Sequence, residues 1–388
     1  MGNPLVTRMG GFGETIFAEM TQRALQFDAV NLGQGFPDTD GPRELLDIAI
    51  DSINSGLNQY APAIGMPVLR QAVAEHQGRF YGLSVDPDRE VLVTVGATEA
   101  IAASVLALVE PGEEVVTFEP YYDSYAASIA LAGAVRRAVP LRFPDLAVDE
   151  QALRGAFGER TRVVLLNTPH NPTGKVFTRS ELELIAELAV EHDSWVVTDE
   201  VYEHLTFDGA PHLPIATLPG MAERTLTISS GGKTFSTTGW KVGWVHGPEE
   251  AVRAVGAVKQ FLTFVGSGPF QPAIAHGLGM PDEFFTDLAC SMQAKRDVLV
   301  GALTGIGLPV APCQGTYFVI ADMAPLGVSD AVDFCRRMPE EIGVVGVPVS
   351  AFCDDKDAVA TLVRFAFCKR EPVLREGAER LARLGRCG

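Results

Sequence analysis

The sequence lacks most of what would direct a 388-residue chain to a membrane, an oxidising compartment or a nucleic acid. Its six cysteines lie at 290, 313, 335, 353, 368 and 387. No two form a CxxC pair and none shares a short motif with a histidine. The spacing therefore offers neither a disulfide framework nor a zinc site, and the expectation is reduced thiols in a cytoplasmic protein with no metal. Long apolar runs are also missing. The longest mainly apolar stretch, Ala100–Val109, is too short for the about 20 residues of a bilayer-spanning helix. The N-terminus, MGNPLVTRMGGFGE, has no apolar signal segment, and Val6 stands where a myristoylation motif needs Ser or Thr. Positive charge is scarce: 31 Lys plus Arg against 49 Asp plus Glu leaves a net charge of −18. Such a surface repels phosphate backbones and argues against nucleic acid as a partner, without excluding one local basic pocket. No internal repeat and no low-complexity linker interrupts the chain.

What remains is globular. Apolar residues make up 47% and charged residues 21%, enough to bury large cores, and the length suits two or three domains. The middle of the chain alternates β-rich runs with helical periods. EVLVTV (Glu90–Val95) reads as a strand and Thr98–Val109 as a helix. Glu114–Phe118, Val135–Pro140, Val163–Leu166, Trp195–Thr198 and Thr225–Ser229 read as further strands. Thr178–Glu191 has Leu182, Ile185, Ala186 and Ala189 on one face, with Thr178 and Glu181 at capping-box spacing. This alternation predicts an α/β fold with a mostly parallel sheet covered on both faces. Beyond about Asp282 the texture changes: a long helix (Asp282–Thr304), a strand (Thr316–Ala321), a helix near Ala331–Arg337, two short strands and a last helix (Glu371–Leu384). The expectation is a large domain over residues 40–281 and a smaller α/β domain made of 1–39 and 282–388.

Ligands of parallel sheets bind beyond the carboxyl ends of the strands. Four such ends carry informative residues: Gly96-Ala97-Thr98, the run Asn167–Pro172, Asp199 with Tyr202, and Ser229-Ser230-Gly231-Gly232-Lys233. Together they bring a helix N-terminus, an amide, a carboxylate with a phenol, and a lysine to one sheet edge, a set suited to an anionic, aromatic, carbonyl-bearing ligand. Each piece alone is weak. A Gly-Ala-Thr turn is ordinarily a cap, Asn-Pro a turn, and a loop lysine solvated. Thr227–Thr234 nearly matches a P-loop but has Thr227 where the first glycine belongs, which sets a nucleotide triphosphatase aside.

In combination the segments are specific. SSGGKTFSTTGWKVGW (Ser229–Trp244), DEVY (Asp199–Tyr202) and NTPHNPTG (Asn167–Gly174) resemble the class I aminotransferases, pyridoxal-phosphate enzymes of fold type I. VNLGQGFPD (Val30–Asp38), NQYAPAIGMPVLR (Asn58–Arg70) and LVRFAFCK (Leu362–Lys369) match as well, in order and over nearly the whole chain. The likeness is greatest to the branch with kynurenine aminotransferase, glutamine transaminase K and N-succinyldiaminopimelate aminotransferase. Lys241 is a departure, since many class I members place Arg there; lysine supplies a point charge without the bidentate fork. The fold implied has a seven-stranded, mostly parallel sheet between helices, plus a smaller α/β domain.

The resemblance also implies roles. Lys233 would be covalently joined to the cofactor aldehyde and would move the substrate Cα proton, work that needs a neutral amine. Asp199 would keep the pyridine nitrogen protonated, while Tyr202 and Asn171 would hydrogen-bond the ring oxygen. The Ala97 and Thr98 amides, Ser230 and Lys241 would bind phosphate. Tyr122 would stack on the ring, with Tyr121 the neighbour most easily mistaken for it. Tyr60 would reach the phosphate of a neighbouring subunit, because the family builds its sites at a homodimer interface. Arg364 would fork onto the substrate α-carboxylate, its ordinary alternative being an exposed edge arginine. Gly35 would offer its amide to the same group, and Phe17 and Phe264 would line the side-chain pocket.

The reaction implied is two-step amino transfer to a 2-oxo acid such as 2-oxoglutarate, with N-succinyl-L,L-diaminopimelate as the first donor expected. Kynurenine, glutamine or methionine transamination, with cysteine-conjugate β-elimination, is the alternative. A succinylated donor needs an additional cation or amide, for which Lys259 and Arg23 are the sequence candidates. A DNA-binding regulator with an aminotransferase-like domain fits less well, because the pattern begins within the first few tens of residues and the charge is acidic.

Overall fold

The computed structural model describes residues 5–13 and 16–386. Twelve strands form among them: β1 (Val30–Asn31), β2 (Val91–Val95), β3 (Glu114–Glu119), β4 (Val135–Pro140), β5 (Thr161–Asn167), β6 (Trp195–Asp199), β7 (Thr225–Ser230), β8 (Val242–His246), β9 (Phe318–Asp322), β10 (Val344–Val345), β11 (Val347–Pro348) and β12 (Leu362–Ala366). The runs VLVTV, VVLL and WVVT lack polar alternation because both faces of their sheet are covered. Val115, Val116, Val163, Val164, Val196 and Val197 all have 0% exposure.

Seven strands make one sheet in the order β2-β8-β7-β6-β5-β3-β4. All neighbours are parallel except β8, which runs antiparallel to both β2 and β7. The register sets Asn167 beside Asp199, and Asp199 beside Ile228 two residues before the end of β7. Because β8 is reversed, its first residue Val242 pairs with Val95, the last of β2. The ends of β2, β5, β6 and β7 and the start of β8 therefore share one edge, as the sequence predicts for the first four. Strand β8 was not foreseen: VGWVH follows a glycine- and lysine-bearing loop that reads as a binding motif.

The covering helices carry their own stop and start signals. Helix Arg179–Glu191 begins at a complete capping box, Thr178 Oγ1 accepting from the Glu181 amide and Glu181 Oε2 accepting from the Thr178 amide at 2.8 Å. Helix Gly96–Leu108 has Val95 at its N-cap and no side-chain cap, so its first amides remain open toward the sheet edge.

The smaller sheet has the order β11-β12-β9 and is antiparallel, with β12 central. Strand β1 pairs in parallel with β10, which brings the N-terminal segment to this part of the fold. Helix Asp282–Thr304 has the bounds read from the sequence. Thr316 has φ +65° and delays β9 to Phe318, two residues after the predicted start. Helix Ala331–Glu341 continues through Pro339, past the predicted end near Arg337. Among the described residues no helix is long and apolar enough to cross a membrane.

Candidate active site

At the shared strand edge lies a cavity of about 390 Å³. Its wall includes Phe17, Gly35, Ala97, Thr98, Tyr122, Asn171, Asp199, Tyr202, Ser230, Lys233, Lys241 and Arg364, twelve of the fourteen residues singled out from the sequence. Tyr60 and Phe264 are not on it. Their rings pack edge-on at 5.4 Å, with Tyr60 82% and Phe264 38% exposed.

Asp199 ends β6 and is buried. Burial pushes its carboxyl up to about 6, against the Tyr125 hydroxyl, which donates to Oδ2 at 2.7 Å, and the nearby Lys233 charge. Its backbone is fixed from β5. Asn167 Nδ2 donates to the Asp199 carbonyl at 2.7 Å, and Asn167 Oδ1 accepts from the Asn171 amide at 2.7 Å. Tyr202 is buried beneath the cavity, its ring edge-on to Tyr317 at 5.1 Å; burial raises its phenol above the usual range. The Tyr317 hydroxyl donates to the Gly35 carbonyl at 2.6 Å.

Lys233 sits in the one-turn helix Gly231–Thr234 directly after β7, its Nζ 5.9 Å from the Tyr202 ring centroid and 5.8 Å from that of Tyr317. Burial lowers its pKa, and the charges of Lys241 and Arg364 act in the same direction against Asp199. Lys241 adopts φ +53° at the loop before β8. It closes over Gly96, where an added Cβ would lie 3.0 Å from Lys241 Nζ. Open helix amides, Ser230 and a lysine thus surround one end of the cavity, a ready anion site.

Arg364, in the middle of β12, is 2% exposed. The strand is central and buried on both faces, so the edge-arginine alternative does not hold. Its Nη2 donates to the Gly33 carbonyl at 2.9 Å and Nη1 to Asn171 Oδ1 at 3.2 Å, while Nε has no partner. Phe318, Phe352 and Phe17 surround the guanidinium at 4.1, 4.8 and 5.2 Å from their centroids. Among the described residues it has no carboxylate ion-pair partner, and burial lowers its pKa to about 10. A buried, incompletely paired guanidinium on a cavity wall is built for an anion supplied from outside.

Three contacts escaped the sequence reading. Tyr125 holds Asp199 from the first turn of helix Asp123–Leu131, three residues after its N-cap Tyr122, and that spacing was the available signal. Tyr317 and Asn167 act through contacts that no spacing predicts. Tyr121 lies elsewhere, donating to Asp354 Oδ1 at 2.8 Å. Neither candidate for a second substrate cation reaches the cavity. Lys259 is buried against the carbonyls of Ala63 and Phe264, and Arg23 donates to the Arg336 carbonyl.

The family described as aminotransferase class I and II matches residues 28–381. The chain belongs to this family. It is a pyridoxal-phosphate-dependent aminotransferase of fold type I, with a large domain and a smaller one. The chain is similar to the N-succinyldiaminopimelate aminotransferase structure from Mycobacterium tuberculosis at 52% identity and TM-score 0.96, covering 98% of this chain and 100% of that one. It is 41% identical to the methionine aminotransferase of Escherichia coli, over 98% of this chain and 99% of the relative. It is 39% identical to mouse kynurenine–oxoglutarate transaminase 3, over 97% and 89%. This aminotransferase's cavity fits the cofactor by its chemistry. The open amides and Lys241 match a phosphate, buried Asp199 matches a cationic ring nitrogen, and Lys233 is the enclosed amine.

Proposed function

We propose that the enzyme transfers the amino group of N-succinyl-L,L-diaminopimelate to 2-oxoglutarate, a step of lysine biosynthesis. The 52% identity to the mycobacterial protein of that name carries the choice of donor. The geometry supports the roles. The bound cofactor supplies an electron sink for the bond broken at the substrate Cα. Arg364, aided by the Gly35 amide, holds the α-carboxylate, and its free Nε is the donor still unmatched. Lys233, its pKa lowered by burial, would be the amine placed to take and return the substrate proton. Asp199, oriented by Tyr125 and Asn167, stays anionic against the ring nitrogen, while Tyr202 and Asn171 hold the ring oxygen. Ala97, Thr98, Ser230 and Lys241 anchor the phosphate. Tyr122 covers the ring, and Phe17 packs beside the substrate.

Tyr60 and Phe264 fit a homodimer in which each chain completes its partner's site. Support comes from exposed apolar side chains in the same segments: Leu57, Ile64, Phe261 and Leu262. Segments 40–281 and 1–39 with 282–388 are the proposed domains. The setting is cytoplasmic, in keeping with free thiols at all five described cysteines.

Methionine, kynurenine or glutamine as donor is the second reading, with β-elimination from cysteine conjugates as a side activity. It is favoured by the lack of a further cation beside Arg364, Lys233 and Lys241 among the cavity residues. A panel of amino donors with 2-oxoglutarate decides between them. The succinylated donor should give the highest kcat/KM, whereas turnover of methionine or kynurenine with none of the succinylated compound contradicts the proposal.

A further inference from the structure

Behind the turn that carries Asp199 and Tyr202 lies a polar cluster that the reaction does not use. His76 projects from helix Pro67–Tyr81, and Glu203 and His204 follow Tyr202 directly. His76 and Glu203 are buried at 2% and 5% exposure, and His204 is partly so. The two Nε2 atoms are 2.7 Å apart, and a Glu203 carboxylate oxygen completes a triangle with no side above 4.8 Å. Glu203 Oε1 accepts from Ser229 Oγ at 2.6 Å, whereas Oε2 has no hydrogen-bond partner. Gln77 Oε1, on the residue next to His76, is a second buried acceptor without a donor. Tyr81 and Gln77 also face Glu203, and Arg79 lies near both rings, so the cluster stands out by its three convergent ligand atoms and not by a missing charge.

We propose that His76, His204 and Glu203 bind a divalent transition metal of the zinc class. Two imidazoles and one carboxylate are a common zinc ligand set. Nitrogens ligating one tetrahedral ion at about 2.0–2.1 Å stand about 3.3 Å apart. The rings must therefore part by roughly half an ångström and the carboxylate must close in. A water would take the fourth position. Phe80 and Phe285 pack on the pair, at 4.7 Å from His76 and 4.2 Å from His204, and form an apolar shell. The ion would tie helix Pro67–Tyr81 to the turn bearing Asp199 and Tyr202, bracing the cofactor site from behind. The ligands lie 127 residues apart in sequence, from 76 to 203, so no spacing motif reveals them.

The competing occupant is a single proton shared between the two rings. Elemental analysis of the dialysed holoenzyme, purified from zinc-supplemented cells without an affinity tag, separates them. About one zinc per chain is expected, falling several-fold in His76→Gln and Glu203→Gln. Cobalt substitution of the unmutated enzyme should give the visible bands of a four-coordinate site, which keeps the test open if the variants fail to fold. Metal-free enzyme with no cobalt spectrum, or variants that retain full metal content, overturns the proposal.

Discussion

Arg364 shows why the substrate end of the site is selective for a carboxylate. Its guanidinium is stacked among three phenylalanines and donates to a carbonyl and an amide, neither of which cancels its charge. Arg364→Lys keeps the charge and loses the fork. With charged hydrogen bonds contributing about 1.5–3 kcal/mol, kcat/KM should fall about ten- to a hundredfold with the cofactor absorption unchanged. An unaltered kcat/KM would remove Arg364 from its role. Asp199 sets a pH limit. Burial disfavours the anion and pushes its carboxyl up to about 6, above the ordinary 3.8. The fold therefore loses stability from this group as pH rises through that interval, and a cationic ring nitrogen reverses the penalty. Below about pH 6 a proton must leave Asp199 before the cofactor is bound, so affinity should weaken up to about tenfold per pH unit on acidification. Titration of the apoenzyme with pyridoxal phosphate at pH 5 and 7.5 measures this, and Asp199→Asn should abolish that limb. Equal affinity at both pH values would contradict it.

The strands and helices place these residues, and glycine is what lets them approach. Strand β8 crosses the start of helix Gly96–Leu108 so closely that a Cβ on Gly243 would lie 2.5 Å from the Gly96 carbonyl carbon and 2.8 Å from the Ala97 nitrogen. Both are backbone atoms, so neither yields by a rotamer change. Gly243→Ala should cost about 1–3 kcal/mol in urea unfolding and weaken phosphate binding at the displaced amides, measured as cofactor affinity. A variant with unchanged stability and affinity would show the contact to be looser than drawn. Legibility followed the same local chemistry. Helix Asp282–Thr304 and the capping box at Thr178 were readable because their signals are confined to a few adjacent residues. Helix Pro67–Tyr81 was not, because the face it buries carries Arg70, His76 and Gln77 and so breaks the apolar period.

Across the whole molecule, the site draws on residues from Phe17 to Arg364. It was nevertheless legible, because each contribution sits in a short segment at a strand end and the α/β topology sends those ends to one edge. Contacts that exist only after folding stayed hidden: Tyr317 with Gly35, Asn167 with the Asp199 backbone, His76 with His204. The overall charge of −18 likewise gave no hint of the cationic pocket formed by Lys233, Lys241 and Arg364. The central claim is that Lys233 is the amine joined to pyridoxal phosphate. Borohydride reduction of the holoenzyme, digestion and mass mapping of the labelled peptide test it most directly. One label on the peptide containing Lys233 is the predicted result; a label on any other lysine, or none, would contradict the account.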